Sequence, residues 1–319
     1  MNENISQYLS KYLTNPDPRY AVMLKGKWGC GKSFFIKQWI EGYKSAFKRG
    51  KVVLEPIYVS LYGLTDVSQI TTAIDRVLHP YLYGKGAKTL KKVMKIASKL
   101  MFDTTIDLNK DGEEDISVTA TLDSLALLGS NDENLKIGTK LIVFDDLERS
   151  LIDMKLLLGY INNFVEHGAC HVIILGDETH VTEDAKIKLV EFKEKTVGRE
   201  FEIIPDVGAA VDCFINNDII HKIEWLAKQK DFILDCFTAT QCDNLRLLRQ
   251  CLYDFSVLYA ELHVDNDKNS DSILMSLLGD YIITYCEYRG EFRQLILNHN
   301  WDYFSGVIGD EKTKENVNK

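Results

Sequence analysis

Short apolar runs alternate with amphipathic stretches along the first two-thirds of the chain. Runs with the length and composition of strands lie at residues 20–25, 51–61, 140–144, 171–175 and 201–204. Apolar positions at helical spacing fill residues 33–48, 66–79 and 153–167 between them. Pro56 predicts that the second strand lies at an edge or a bulge, because proline cannot donate to a sheet ladder. This order of strands and helices predicts an α/β fold built on a parallel sheet.

Other segments depart from this pattern and set the expected organisation of the chain. Residues 84–138 combine a lysine-rich amphipathic stretch, an acidic turn and an alternating run, which predicts an inserted α/β segment. After residue 206 the apolar positions follow helical spacing alone, so three or four helices are expected up to about residue 300. We therefore expect a helical lead at 1–19, an α/β domain at 20–205, an all-helical lid domain at 206–309 and a polar tail at 310–319.

Composition narrows the class of protein. The chain has 319 residues and 45% hydrophobic composition, which is enough to bury a sizeable core. The net charge of −9 argues against broad, non-specific nucleic-acid binding, although a local basic patch leaves such contact open. No apolar run reaches the ~18 residues of a membrane span, and the first residues do not have the pattern of a signal peptide. Seven cysteines without zinc-ligand spacing predict reduced thiols in a cytoplasmic protein.

A glycine-rich stretch lies between the first strand and an amphipathic helix. Its sequence, GKWGCGKS, fits the phosphate-loop pattern G-x-x-x-x-G-K-[ST]. Glycines let backbone N–H groups converge on phosphate oxygens, and the N-terminus of the following helix adds partial positive charge. We expect Lys32 to reach the β- and γ-phosphates and the Ser33 hydroxyl to ligate Mg²⁺. The expected nucleotide-binding residues are Gly26, Lys27, Trp28, Gly29, Cys30, Gly31, Lys32, Ser33 and Phe34.

Two carboxylates follow the apolar strand LIVF. The carboxyl ends of parallel strands are where α/β proteins bind ligands, so both carboxylates are expected near the phosphate loop. Asp145 is predicted to hold Mg²⁺, usually through water. Asp146 is predicted to orient or deprotonate the attacking water, and Glu148 is the rival for that role.

Together these motifs resemble one family. GKWGCGKS, LIVFDDLERS, HVIILGDE and FKEKTVGREFEI are similar to the motifs of the KAP family of P-loop NTPases, in the additional-strand, AAA+/STAND-like branch. The resemblance covers about residues 20–249, with Glu148 at a position where the family usually has aspartate. It implies that 20–205 is a P-loop NTPase domain. It also implies an extra strand between the phosphate-loop strand and the acidic strand, followed by a helical lid.

The resemblance also implies further site residues. The family's sensor position, near the γ-phosphate, falls at 176–177, where Asp177 stands in place of the expected neutral asparagine. An anion there would repel phosphate. Relatives use arginines to stabilise charge on the γ-phosphate, sometimes from a neighbouring subunit. The candidates are Arg149 and Arg199, each expected after a strand, and Arg246, which resembles a lid sensor arginine; the alternative for each is a surface salt bridge.

The leading hypothesis is an ATP- and Mg²⁺-dependent switch or motor that hydrolyses ATP, with lid position reporting the nucleotide state. The resemblance implies homo-oligomers and a setting in bacterial phage defence, in which a separate protein effector acts as partner. One alternative is an assembly module that binds ATP with little or no hydrolysis. Another is a small-molecule kinase, which the DDLER motif and the long helical C-terminal half disfavour. ATP is preferred over GTP because the NKxD motif of guanine-specific P-loop proteins is missing from the sequence.

Overall fold

A computed structural model describes residues 2–48, 55–78, 140–166, 170–216, 223–262 and 268–289. The expected insertion at 84–138 and the expected tail at 310–319 lie outside these residues. The chain divides into two compact units. The sheet unit comprises Met1–Trp28 and Lys32–Ile204, and the helical unit comprises Gly29–Gly31 and Pro205–Lys319.

Five parallel strands form the sheet of the sheet unit. They are β1 (Ala21–Lys25), β2 (Glu55–Ser60), β3 (Lys140–Asp145), β4 (His171–Gly176) and β5 (Val197–Glu202), in the spatial order β2-β3-β4-β1-β5. Strand β4 therefore separates the phosphate-loop strand β1 from the acidic strand β3, which confirms the additional-strand arrangement. Strand β2, which contains Pro56, pairs with β3 and forms one edge of the sheet, as the proline predicted.

The helices of the sheet unit cover the sheet. They are α1 (Glu3–Tyr12), α2 (Lys32–Lys48), α3 (Val67–Leu78), α4 (Met154–Glu166) and α5 (Glu183–Thr196). The inner strands read as continuous apolar runs because both faces of a parallel sheet are buried. Their side chains form one core, in which Phe144 of β3 packs against Phe164 of α4. Helix α1 belongs to this unit too, since the Tyr12 hydroxyl donates to the Tyr20 carbonyl at 2.7 Å.

The last strand differs from the expected one. The apolar run predicted a strand at 201–204, whereas β5 runs from Val197 to Glu202. Residues 198–200 are exposed at the sheet edge and none of them has an apolar side chain, so this part of the strand shows no apolar pattern. Ile203 follows β5 and still extends the ladder, because its N–H donates to the Lys25 carbonyl at 2.8 Å.

The described part of the helical unit contains helices and no strands. They are α6 (Val207–Ile215), the single turn α7 (Glu224–Ala227), α8 (Lys230–Ala239), α9 (Leu245–Glu261) and α10 (Lys268–Arg289). Their apolar faces form a core of their own, centred on Phe237, Phe255 and Leu278. None of the helices described in either unit has a stretch long and apolar enough to cross a membrane.

Candidate functional site

The phosphate loop curls through two glycines with left-handed backbone. Gly29 has φ 84° and Gly31 has φ 97°, conformations that other residues adopt only under strain. Lys32 begins α2 and is buried, with 7% of its surface exposed. Its ammonium donates to the Gly26 carbonyl at 2.5 Å and to the Lys27 carbonyl at 3.2 Å. The loop therefore holds its own lysine at the N-terminus of a helix, where anions bind.

Asp145 ends β3 in a fully enclosed position. One of its carboxylate oxygens accepts the N–H of Asp146 at 2.8 Å, and the other accepts the hydroxyl of Tyr58. Burial and the bond to Asp145 raise the pKa of the Tyr58 phenol, so it remains a donor. The Ser33 hydroxyl lies near enough to the phenol to work against this rise in pKa. The two residues predicted to hold the metal thus both lie beside Tyr58.

The oxygen pair of Ser33 and Asp145 fits Mg²⁺. Magnesium prefers oxygen ligands and is usually held by one or two protein groups together with water and phosphate oxygens. The Asp145 carboxylate accepts the Tyr58 hydroxyl, and the Ser33 hydroxyl lies beside the same phenol. Both groups are oxygen donors of the kind that Mg²⁺ takes.

Asp146 has an unusual backbone at the turn after β3. Its φ of 61° and ψ of 43° are left-handed, a conformation that aspartate tolerates better than most residues. The Ser60 hydroxyl, at the end of β2, donates to its carboxylate at 3.0 Å. The Arg149 Nε atom lies 4.0 Å from its other oxygen. The carboxylate is 30% exposed, so it keeps access to solvent.

Hydrogen bonds tie the phosphate loop to the ends of β3 and β4. One oxygen of Glu148 accepts the Trp28 indole N–H at 2.5 Å, and the other accepts the Asp177 backbone N–H at 2.9 Å. One oxygen of Asp177 accepts the Trp28 backbone N–H at 2.8 Å. Both carboxylates are 1% exposed. Burial works against the charge of Asp177, but hydrogen bonds from Thr179 and His180 outweigh it and lower the pKa of Asp177.

The Trp28 indole also contacts two positively charged or titratable side chains. The His180 ring stacks on it with centroids 3.6 Å apart and an angle of 11°. The Arg149 guanidinium lies 4.4 Å from the indole centroid and 5.4 Å from the Tyr62 ring. Trp28, Glu148, Arg149, Asp177 and His180 form what we call the Trp28 cluster. It fixes Arg149 beside Asp146, although sequence spacing alone does not predict these contacts.

The sequence matches one protein family over most of its length. The KAP family P-loop domain matches residues 2–262. The chain belongs to the KAP family of P-loop NTPases. No curated protein sequence matches this KAP protein.

Several solved structures are similar to this KAP protein at low sequence identity, and the first of them shares its fold. The Aeropyrum pernix ORC2 protein (ADPNP-ADP complexes) is 13% identical with a TM-score of 0.55, over 92% of this chain and 70% of that one. Cdc6p from Pyrobaculum aerophilum is 14% identical with a TM-score of 0.44, over 82% of this chain. The match spans 62% of the length of Cdc6p. Domain III of the Thermotoga maritima replication initiation protein DnaA is 14% identical with a TM-score of 0.40, over 87% of this chain and 92% of that one.

The remaining predicted site residues of the KAP protein lie elsewhere. Arg199 was expected after a strand, but it lies inside β5, where it is exposed and pairs with Val22 of β1. Its positive charge works against the rise in the pKa of Tyr20. Its partner Val22 lies three residues before Lys25, the carboxyl end of β1, after which the phosphate loop begins. Arg246 lies in the first turn of α9 in the helical unit. Phe34 is 47% exposed on α2.

Proposed function

We propose that this KAP protein binds ATP with Mg²⁺ and hydrolyses it, and that the nucleotide state drives a switch or an oligomerising motor. The observation that supports this most is the placement of Ser33 and Asp145 beside Tyr58, which donates its hydroxyl to Asp145. These residues come from the phosphate loop and from an apolar strand ~110 residues away. ATPases with this loop use the same two residue types for their metal.

The chain's own groups suffice to bind the nucleotide in this proposal. Backbone N–H groups of the loop and of the first turn of α2 hold the phosphates, and the Lys32 ammonium exchanges its loop carbonyls for phosphate oxygens. Mg²⁺, when bound, would neutralise negative charge on the β- and γ-phosphate oxygens. The fold shared with the Aeropyrum ORC2 protein, described in its ADPNP-ADP complexes, supports an adenine nucleotide.

Asp146 is assigned to water activation. The water oxygen forms a bond to the γ-phosphorus, the bond from that phosphorus to the ADP oxygen breaks, and Asp146 takes the water proton. The Asp146 side chain is 30% exposed and accepts one hydrogen bond, from Ser60, whereas the Glu148 side chain is 1% exposed and both its oxygens accept hydrogen bonds. We therefore assign Glu148 to positioning the loop and Arg149 to stabilising the developing phosphate charge.

The second candidate is an assembly module that binds ATP without turnover. It is favoured by one observation: Asp146 already accepts the Ser60 hydroxyl, and its short side chain has Arg149 nearby. In this reading ATP holds subunits together.

Two further arginines are assigned in either reading. Arg199 pairs with Val22 inside the sheet, so its contribution comes from a neighbouring copy. Arg246 is proposed as the lid arginine. The family resemblance extends the proposal to phage defence with a partner effector in the cytoplasm.

Steady-state ATP hydrolysis by the full chain tests this proposal. The variants are Lys32→Ala and Asp146→Asn. The matched control is Lys44→Ala, which removes an exposed lysine on the same helix that pairs with Glu41. Size-exclusion profiles with and without ATP and Mg²⁺ accompany each measurement.

Each outcome selects one reading. Turnover that is lost in Lys32→Ala and Asp146→Asn but kept in Lys44→Ala supports hydrolysis with Asp146 as the water-activating group. No turnover, with an ATP-dependent increase in size that disappears in Lys32→Ala alone, supports the assembly module. A chain that neither binds nor hydrolyses ATP contradicts both.

A further inference from the structure

Tyr58 occupies the place where the proposed metal ligands meet. It lies on the edge strand β2 opposite Val143, and side chains alternate along a strand, so Asp145 shares the face of Val143. The phenol reaches across and donates to the Asp145 carboxylate, and the Ser33 hydroxyl lies beside it. Neither the phosphate-loop pattern nor the acidic strand end requires a tyrosine at this position.

The phenol competes with a cation for the Asp145 carboxylate. One Asp145 oxygen accepts the Asp146 N–H, and the other accepts the Tyr58 hydroxyl. The phenol proton points at the carboxylate, where a cation would sit, and like partial charges repel. A cation that binds this carboxylate is therefore favoured when the phenol releases it.

The Tyr58 ring is held independently of its hydroxyl. The Lys37 ammonium lies 4.7 Å from the ring centroid, on the helix turn after Ser33. A phenylalanine keeps this cation–π contact and loses only the hydroxyl. The substitution Tyr58→Phe is therefore a clean removal of the hydrogen-bonding group.

We propose that Tyr58 is a latch on the metal site, which holds Asp145 until Mg²⁺ displaces its hydroxyl from the carboxylate. The proposal rests on the proposed function, since it takes Mg²⁺ and nucleotide as the ligands. Strand β2 then restrains both aspartates, because Ser60, two residues after Tyr58, holds Asp146. Tyr58 makes metal binding weaker than the two ligands alone would allow.

Calorimetric titration of Mg²⁺ into the full chain with a non-hydrolysable ATP analogue tests the latch. The variants are Tyr58→Phe and the matched control Tyr12→Phe, which removes another buried hydroxyl of the sheet unit, bonded to the Tyr20 carbonyl. We expect Tyr58→Phe to bind Mg²⁺ about tenfold more tightly than wild type, because hydrogen bonds to charged groups are the stronger kind. Tyr12→Phe should leave Mg²⁺ affinity unchanged.

A spectroscopic readout separates the latch from a merely structural role. Addition of Mg²⁺ should change the tyrosine ultraviolet absorption of wild type and of Tyr12→Phe, and Tyr58→Phe should lack that change. Unchanged or weaker Mg²⁺ binding in Tyr58→Phe, or a spectral change that survives the substitution, overturns the latch while nucleotide binding stands. A wild-type chain that binds no nucleotide at any Mg²⁺ concentration overturns the proposed function and the latch together.

Discussion

At the level of single residues, Glu148 combines a buried charge with two committed hydrogen bonds. Glu148→Gln replaces one accepting oxygen with an NH₂ group, which faces an N–H donor from Trp28 or Asp177. A buried donor then loses its partner, so the free energy of unfolding should fall by about 1–3 kcal/mol. Urea denaturation of wild type and variant measures this difference.

The control for this substitution is Glu191→Gln, at an exposed position on α5. It should change the free energy of unfolding by less than about 0.5 kcal/mol. If Glu148→Gln is as stable as wild type and loses only ATP turnover, Glu148 activates water and its assignment to positioning is wrong.

Asp177 gives the site a specific dependence on acid. Its pKa is lowered because hydrogen bonds from Thr179 and His180 outweigh the effect of burial, so its stabilising contribution is present above the unfolded value of 3.8. That contribution is lost as pH falls through the lower, folded pKa. Asp177→Asn should cost about 1–3 kcal/mol at pH 7, because the amide replaces an acceptor.

The pH series distinguishes this cause from general acid unfolding. The difference in unfolding free energy between wild type and Asp177→Asn should shrink as pH falls below 3.8. Denaturant titrations from pH 7 to pH 3 measure it. A difference that is constant over the series shows that the charge of Asp177 does not stabilise the fold.

The sequence predicts the candidate site residues better than it predicts their contacts. Lys32, Ser33, Asp145 and Asp146 stand in fixed motifs, so their proposed roles follow from spacing. Tyr58 acts through a side chain that reaches across the sheet. Such contacts depend on register and rotamer, which one sequence does not specify. For the same reason, the sequence does not predict the contacts of the Trp28 cluster.

At the level of elements, Gly198 in β5 and Gly159 in α4 make a matched pair. A Cβ at Gly198 would overlap the Tyr20 ring, whereas a Cβ at Gly159 meets open space. Gly198→Ala should lower the free energy of unfolding by about 1–3 kcal/mol through overpacking. Gly159→Ala should raise it by about 0.5–1 kcal/mol, since alanine favours a helix interior.

Thermal and urea denaturation of the two variants measure these shifts. Equal effects of the two substitutions contradict the close approach of β5 to Tyr20. A stabilised Gly198→Ala contradicts it more strongly, since it requires free space beside the ring.

The predicted strands match the observed ones where both faces of the strand are buried. The inner strands β1, β3 and β4 are apolar on both faces, and the predicted runs coincide with them. For the exposed edge strand β5, the predicted run at 201–204 begins four residues after the observed start at Val197. Helix α5 buries Leu189 and Phe192 but exposes Ile187 and Val190, so it shows no single apolar face for periodicity to detect.

At the level of the whole molecule, two units with separate cores carry one family signature. The strand order, with β4 between β1 and β3, follows from the family resemblance, because apolar runs give strands without their neighbours. A ligand that binds the folded chain stabilises it by mass action. ATP with Mg²⁺ should therefore raise the unfolding midpoint of wild type in differential scanning calorimetry, and the rise should grow with ligand concentration.

The rise in midpoint has its own control. Lys44→Ala should show the wild-type rise, and Lys32→Ala should show little or none. An unfolding midpoint of wild type that does not change at any concentration of ATP and Mg²⁺ contradicts binding to the folded state.

Equilibrium binding of ATP with Mg²⁺ tests the central claim most directly. Isothermal titration calorimetry on wild type, Lys44→Ala and Lys32→Ala gives the three dissociation constants. We predict equal affinity for wild type and Lys44→Ala, and an affinity about 10- to 100-fold weaker for Lys32→Ala, because it loses a charge-assisted hydrogen bond to phosphate. Wild-type chain that binds no ATP, or Lys32→Ala that binds as tightly as wild type, would contradict the account.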